Sequence, residues 1–127
     1  MRDIRLGRLI WTDVVDPQGN PAGEHAAIVL TAKEEHEAGK PIRAVVVSSK
    51  LTYAPKEWMV EMPSDPKGHP QTKFRVECAA MCHWIVEVDE TRINKYGSII
   101  YGQLLTRVME CIAQARQLES HPNNPSV

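Results

Sequence analysis

No apolar run in this chain approaches the ~20 residues that a membrane-spanning helix requires. The opening stretch MRDIRLGRLIW carries Asp3 and has no long apolar core of the kind a secretory leader needs. A cytoplasmic protein with no membrane partner is therefore the expectation. An excess of one charge is missing too: 15 Lys and Arg stand against 16 Asp and Glu, a formal net charge of −1. No global basic field points to nucleic acid, which leaves only a local patch to do so. Cysteine is scarce and odd in number, at Cys78, Cys82 and Cys111. Without an export signal these thiols are expected to stay reduced. The stretch CAAMCH sets Cys78, Cys82 and His83 close together and raises the question of zinc. It reads as strand rather than as the helix that would bring an i, i+4 pair together, and no second pair completes four ligands. Small buried cysteines are the better reading, with no metal and no cofactor. Aromatics make up only 6% of the chain, so Trp11, Trp58 and Trp84 are expected to anchor the core or a dimer contact.

What is present is enough for one domain of 127 residues, set here at 1–119 with a polar tail at 120–127. GRLIWTDVV (7–15) is rich in β-branched and aromatic residues and runs into DPQGNPAG, a Pro, Gly and Asn cluster: strand, then turn. HAAIVLT (25–31) and IRAVVVSSK (42–50) read as further apolar strands, separated by a polar segment at 32–41 suited to a short helix or loop. EWMVEM (57–62) alternates as a half-buried strand does, and PSDPKGHPQTK (63–73) is a loop. FRVECAAMCHWIVEVD (74–89) is long enough for one bent strand or two, and ETRINKYGSII (90–100) is expected to break at Gly97. The last element has the clearest period. Leu104, Leu105, Val108, Met109, Ile112 and Ala115 line one helical face, with Arg107, Glu110, Gln114 and Gln117 opposite. Five or six short strands and one terminal helix predict a mainly β fold, a small antiparallel barrel capped by that helix.

Four stretches in register resemble the MazF/PemK/Kid toxin family. GRLIWTDVVDPQGNPAGEHAAIVLT is similar to the family's opening strand, its loop, and the Arg-Pro-Ala-Val-Val-Leu strand that follows. AVVVSSK stands where the family has a hydrophobic strand ending in Thr-Ser, and IVEVDETRI and YGQLLTRVMECI resemble its later segments. The similarity spans about residues 7 to 115. It implies an SH3-like barrel of the type shared with the CcdB toxins and a homodimer. It also implies the toxin of a type II toxin–antitoxin pair, most members being endoribonucleases held by a cognate antitoxin.

At the catalytic positions the sequence departs from that pattern. The family's arginine falls on His25 and the following proline on Ala26; its threonine falls on Ser48. Its acidic residue falls on His83, the neighbouring glutamine on Trp84, and a second arginine on Val86. Cleavage of single-stranded RNA by its own 2′-hydroxyl requires a base, an acid for the leaving 5′-oxygen, and positive charge for the phosphorane-like oxygens. Imidazole is the side chain that changes charge near neutral pH, so His25 and His83 in one cleft are expected to supply both proton transfers without a metal. Ser48 would position a phosphate oxygen and Glu24 would hold an imidazole tautomer, while Lys50 and Arg43 add charge. Lys73 and Arg75, in the locally basic DPKGHPQTKFR, are expected to follow the phosphate backbone. Two other classes stay open. One is an inactive family member that binds an antitoxin-like partner, nucleic acid or a topoisomerase; the other is a metal enzyme built on CAAMCH.

Overall fold

A computed structural model describes residues 3–52 and 54–120, the side chains of 117–120 excepted. Among the described residues there are six antiparallel strands and one α-helix: β1 (Arg8–Val15), β2 (Pro21–Val29), β3 (Ile42–Ser48), β4 (Met59–Met62), β5 (Cys78–Val88), β6 (Lys95–Ile99) and α1 (Gly102–Ser120). Single 3-10 turns at Lys33–Glu35, Lys56–Trp58 and Glu90–Arg92 link them. Of the polar tail expected at 120–127, Ser120 is the last residue of α1 and 121–127 lie outside the described residues.

The strands form one sheet in the order β4-β5-β3-β2-β1-β6. Two hydrophobic layers cover it. The helix-side layer holds Leu9, Ala26, Ile28, Val45, Val47, Ala80 and Cys82 under Val108, Ile112 and Ala115 of α1. The other layer holds Ile10, Val14, Ala27, Val29, Val46, Met81, Trp84 and Val86. Successive residues of β2 and β3 alternate between the two layers because side chains on a strand point to opposite faces. The sheet curls toward the second layer. Trp84 on β5 crosses β3 and β2 to donate its indole N–H to the Val15 carbonyl of β1 at 2.7 Å. That layer is therefore concave, but the sheet remains open rather than closing into the barrel the sequence suggested.

Two helix and strand expectations change. Met109 is 38% exposed, while Val108 and Ala115 are fully buried and Ile112 nearly so. The buried stripe follows 108, 112 and 115, and Met109, ~100° round the helix from Val108, falls beside it. Gly97 does not break the last strand either. It sits within β6, two residues beyond Lys95, the partner of Trp11, and a Cβ there would lie 2.6 Å from the Trp11 indole ring.

β5 carries the irregularity that matters most. Val45 of β3 pairs with Ile85 and Val47 pairs with Ala80, so two steps along β3 correspond to five along β5. The extra residues fall at Met81–Trp84 and form a bulge, which interrupts alternation and re-aims side chains.

Candidate active site

β2 and β3 pair with Ala26 opposite Val47 and Ala27 opposite Val46. The ladder ends at that first pair, and His25 and Ser48 are the next residues on the two strands. Alternation turns both toward the concave layer, with Ala27 and Val46. Ser48 is buried, and its Oγ accepts the Lys50 backbone N–H at 3.1 Å. The hydroxyl proton is then free to be donated elsewhere. His25 is half-buried. Its Nδ1 lies 3.4 Å from the Gly23 carbonyl oxygen. A carbonyl only accepts, so the tautomer that uses this contact carries its proton on Nδ1 and leaves the Nε2 lone pair for a base. The ring also meets Trp84 edge to face, with centroids 5.4 Å apart and planes at 61°.

His83 does not join this pair within one chain. β2 and β5 are not neighbours, since β3 lies between them. The His83 ring stacks on Trp58 instead, centroids 5.4 Å apart and planes at 36°. Trp58 packs against the helix-side layer whereas Trp84 belongs to the concave one, so the two imidazoles rest on different layers. The expectation of one cleft shared from adjacent strands is corrected accordingly.

Glu24 is also corrected. β2 begins at Pro21, which puts Glu24 inside the strand and on the face opposite His25. Its Oε2 accepts from Asn94 Nδ2 at 2.7 Å, and it does not orient the imidazole. The predicted cations scatter. Lys50 stands two residues after Ser48, in the turn after β3. Arg43 alternates to the helix-side face, exposed and opposite Glu87 of β5. Lys73 and Arg75 flank Phe74, which packs edge-on against Trp11, so their loop is anchored on the helix side.

A groove of about 750 Å³ runs between the end of β1 and the second half of β5, with His83 and Trp84 both among the residues that line it. It carries Asp13, Asp16, Glu87 and Asp89 against Arg92. The Thr91 backbone N–H, at 2.9 Å, and then the Thr91 hydroxyl, at 2.8 Å, hold the Asp89 carboxyl below the usual carboxylate range. Its charge therefore persists at mildly acidic pH.

Among the described residues no three His, Cys, Asp or Glu side chains converge as a metal site requires. Cys78 and Cys82 are buried in strand, and burial, then the Glu61 carboxylate, pushes the Cys78 thiol up to about 11. A thiol so disposed is a poor ligand, because metals bind the thiolate. The residue that sequence reasoning missed is Trp84, which touches His25 only because the bulge turns it toward the concave layer. No local pattern in CHWIV announces that.

The profile of the PemK-like, MazF-like toxins of type II toxin–antitoxin systems matches residues 5–115. The chain belongs to that family. Two solved structures share its fold. An endoribonuclease from mycobacterial species superposes with a TM-score of 0.65 at 13% identity, over 92% of this chain and 94% of that one. An endoribonuclease in complex with its cognate antitoxin, also from mycobacterial species, gives 0.62 at 17% identity, over 90% and 95%. No curated protein matches the sequence. Among the described residues no helix is long and apolar enough to cross a membrane.

Proposed function

We propose that this toxin is an endoribonuclease that cleaves single-stranded RNA through the RNA's own 2′-hydroxyl, without a metal. What supports the reading is the β2–β3 ladder, which ends at Ala26 opposite Val47 with His25 and Ser48 as the next residue on each strand, two positions where the family resemblance calls for catalytic groups. His25 Nε2 takes the 2′-hydroxyl proton. The Ser48 hydroxyl donates to a phosphate oxygen, and Lys50, two residues further along the chain, is a source of positive charge. The leaving 5′-oxygen takes its proton from the imidazolium or from water. The family and the fold shared with proteins named as endoribonucleases support this reading. It extends to a cytoplasmic homodimer held by a cognate antitoxin.

The acidic groove favours a second reading. Four carboxylates against one guanidinium repel a polyphosphate, as suits a family member that binds a partner and has lost nuclease activity. Incubation of the pure protein with a long RNA, with chelator present, separates the two. Mapped new 5′ ends carrying hydroxyl, opposite 2′,3′-cyclic phosphate, are the expected products. In that assay His25→Ala should lower the rate by about 10²–10⁴, the size of a general acid–base contribution, and His83→Ala far less. Equal losses at unchanged thermal stability would bring His83 into the site from a second protomer. RNA left whole by the wild type under all conditions would leave the binding reading standing.

A further inference from the structure

We infer that Trp84 is a positioning residue that ties the orientation of the His25 imidazole to the β1–β2 hairpin, so that the two move as one unit. This rests on the reading of His25 as the base.

The first observation is the double use of one indole. Its N–H donates to the Val15 carbonyl at 2.7 Å, and its ring meets the His25 ring edge to face. Trp84 is 2% exposed, so its indole is held in the core while the bond it makes reaches out to Val15, an exposed residue. The second observation is where Val15 stands. The β1–β2 ladder shifts register between Val14 and Val15, and the turn beyond is braced from within. Asp16 Oδ1 accepts from the backbone N–H of Gln18 at 3.0 Å and of Asn20 at 2.8 Å. The hairpin tip is thus a small stiff block, joined to the far side of the sheet by the Trp84 tether at Val15.

The third observation is what else holds His25. Its other polar contact is the 3.4 Å approach of Nδ1 to the Gly23 carbonyl, which is long for a hydrogen bond. Against so weak a restraint, the packed indole edge fixes where Nε2 points. Only tryptophan among the aromatics combines this edge with an N–H donor at that reach. The β5 bulge explains how it arrives. An unbroken strand would put Trp84 on the face of Cys82, in the helix-side layer. The bulge delivers it to the concave layer instead.

The test reads the His25 Hε1 resonance, assigned by its loss in His25→Ala, alongside kcat and KM on a short single-stranded RNA with a mapped cleavage site. Trp84→Leu removes both the ring edge and the donor. It should move the His25 resonance to the position of an unstacked imidazole, leave the other histidine resonances in place, and lower kcat by about 10²-fold, the usual effect of misplacing a reacting group. KM should change by no more than about twofold, because ground-state binding is not what is lost. Trp84→Phe keeps an aromatic edge and loses only the tether, so kcat should fall by about tenfold with the resonance still displaced. A His25 resonance unmoved in Trp84→Leu overturns the proposal. A Trp84→Phe enzyme with the wild-type kcat overturns the tether. Should Trp84→Leu fail to fold, the resonance and kcat of Trp84→Phe decide alone. RNA left uncut by the wild type sinks the endoribonuclease reading by itself, and the resonance still decides whether Trp84 positions His25.

Discussion

Gly97 is the position where one added carbon should be felt most clearly. A Cβ there would lie 2.6 Å from Cζ3 and 3.2 Å from Cη2 of Trp11, and 3.3 Å from Leu9 Cβ. The backbone of Gly97 is not in the left-handed region, unlike that of Gly7, Gly19 and Gly23, so alanine has no conformational objection to the site. The cost of Gly97→Ala is therefore steric and is set by whether the indole can retreat. Trp11 is held on its other sides by the edge of Phe74 and by Lys95 Nζ 5.1 Å over its ring. Overpacking of this kind costs about 1–3 kcal/mol. With an unfolding entropy of ~2.1 cal/mol/K per residue over 127 residues, that corresponds to a Tm lower by roughly 4–11 °C. Calorimetry of Gly97→Ala measures it. The control is the same change in a Trp11→Leu background. There the two indole contacts are gone and only the 3.3 Å approach to Leu9 Cβ remains, so alanine's smaller unfolded-state entropy, ~0.4–1 kcal/mol, should bring Gly97→Ala close to neutral. A Tm unchanged in the single variant would refute the steric account, and so would an equal loss in both backgrounds.

The helix offers a paired test. Val108→Asp buries an unpaired carboxylate in the helix-side layer and should unfold the chain or leave it insoluble. Met109→Asp, at a 38% exposed position, should cost within about 0.5 kcal/mol, as surface changes do; chemical denaturation of both variants checks the contrast. Cys78 carries a pH prediction. Its folded thiol titrates at about 11 against an ordinary 9.0, so it stabilises the fold below pH 9 and that contribution is lost as pH rises through about 11. Cys78→Ala should show a shallower fall of Tm across that window than the wild type, and parallel curves would remove the thiol from the account.

The strands were legible because their patterns are strong. AAIVL and AVVV are apolar enough to be buried on both faces, and DPQGNPAG turns the chain for a stated reason, with Asp16 bracing the turn and Gly19 at φ 90°. β6 was read as broken because glycine weakens a strand interior in isolation. The reason for Gly97 lies on β1, in the indole it accommodates, and no local window contains it. Closure of the barrel was overread as well, since six strands can curl without their edges meeting. Among the site residues, Glu24 failed at a boundary. Starting the strand at His25 left Glu24 outside it, whereas β2 starts four residues earlier and sends the two neighbours to opposite faces.

The separation of His25 from His83 has the same kind of cause and a larger consequence. Strict alternation along β5 from Met81, which faces the concave layer, would place His83 on that layer and Trp84 with Cys82 on the other. The two imidazoles would then have shared a face, as an acid–base pair needs. The bulge between Ile85 and Ala80 exchanges the two neighbours. Trp84 comes to His25, and His83 goes to Trp58. A register shift moves a whole set of side chains, and matching single positions to a family pattern carries no information about it. The chemistry open to the chain therefore turns on an insertion within one strand. With His83 stacked on Trp58, the imidazole left on the concave face is that of His25, which meets the buried Trp84 indole edge to face. A site with one histidine should lack the second ionisation of an acid–base pair, so kcat against pH should rise through a single limb as the base loses its proton. A bell with two imidazole-like limbs, both persisting in His83→Ala, would require a second titrating group on the concave face and would overturn the one-histidine site.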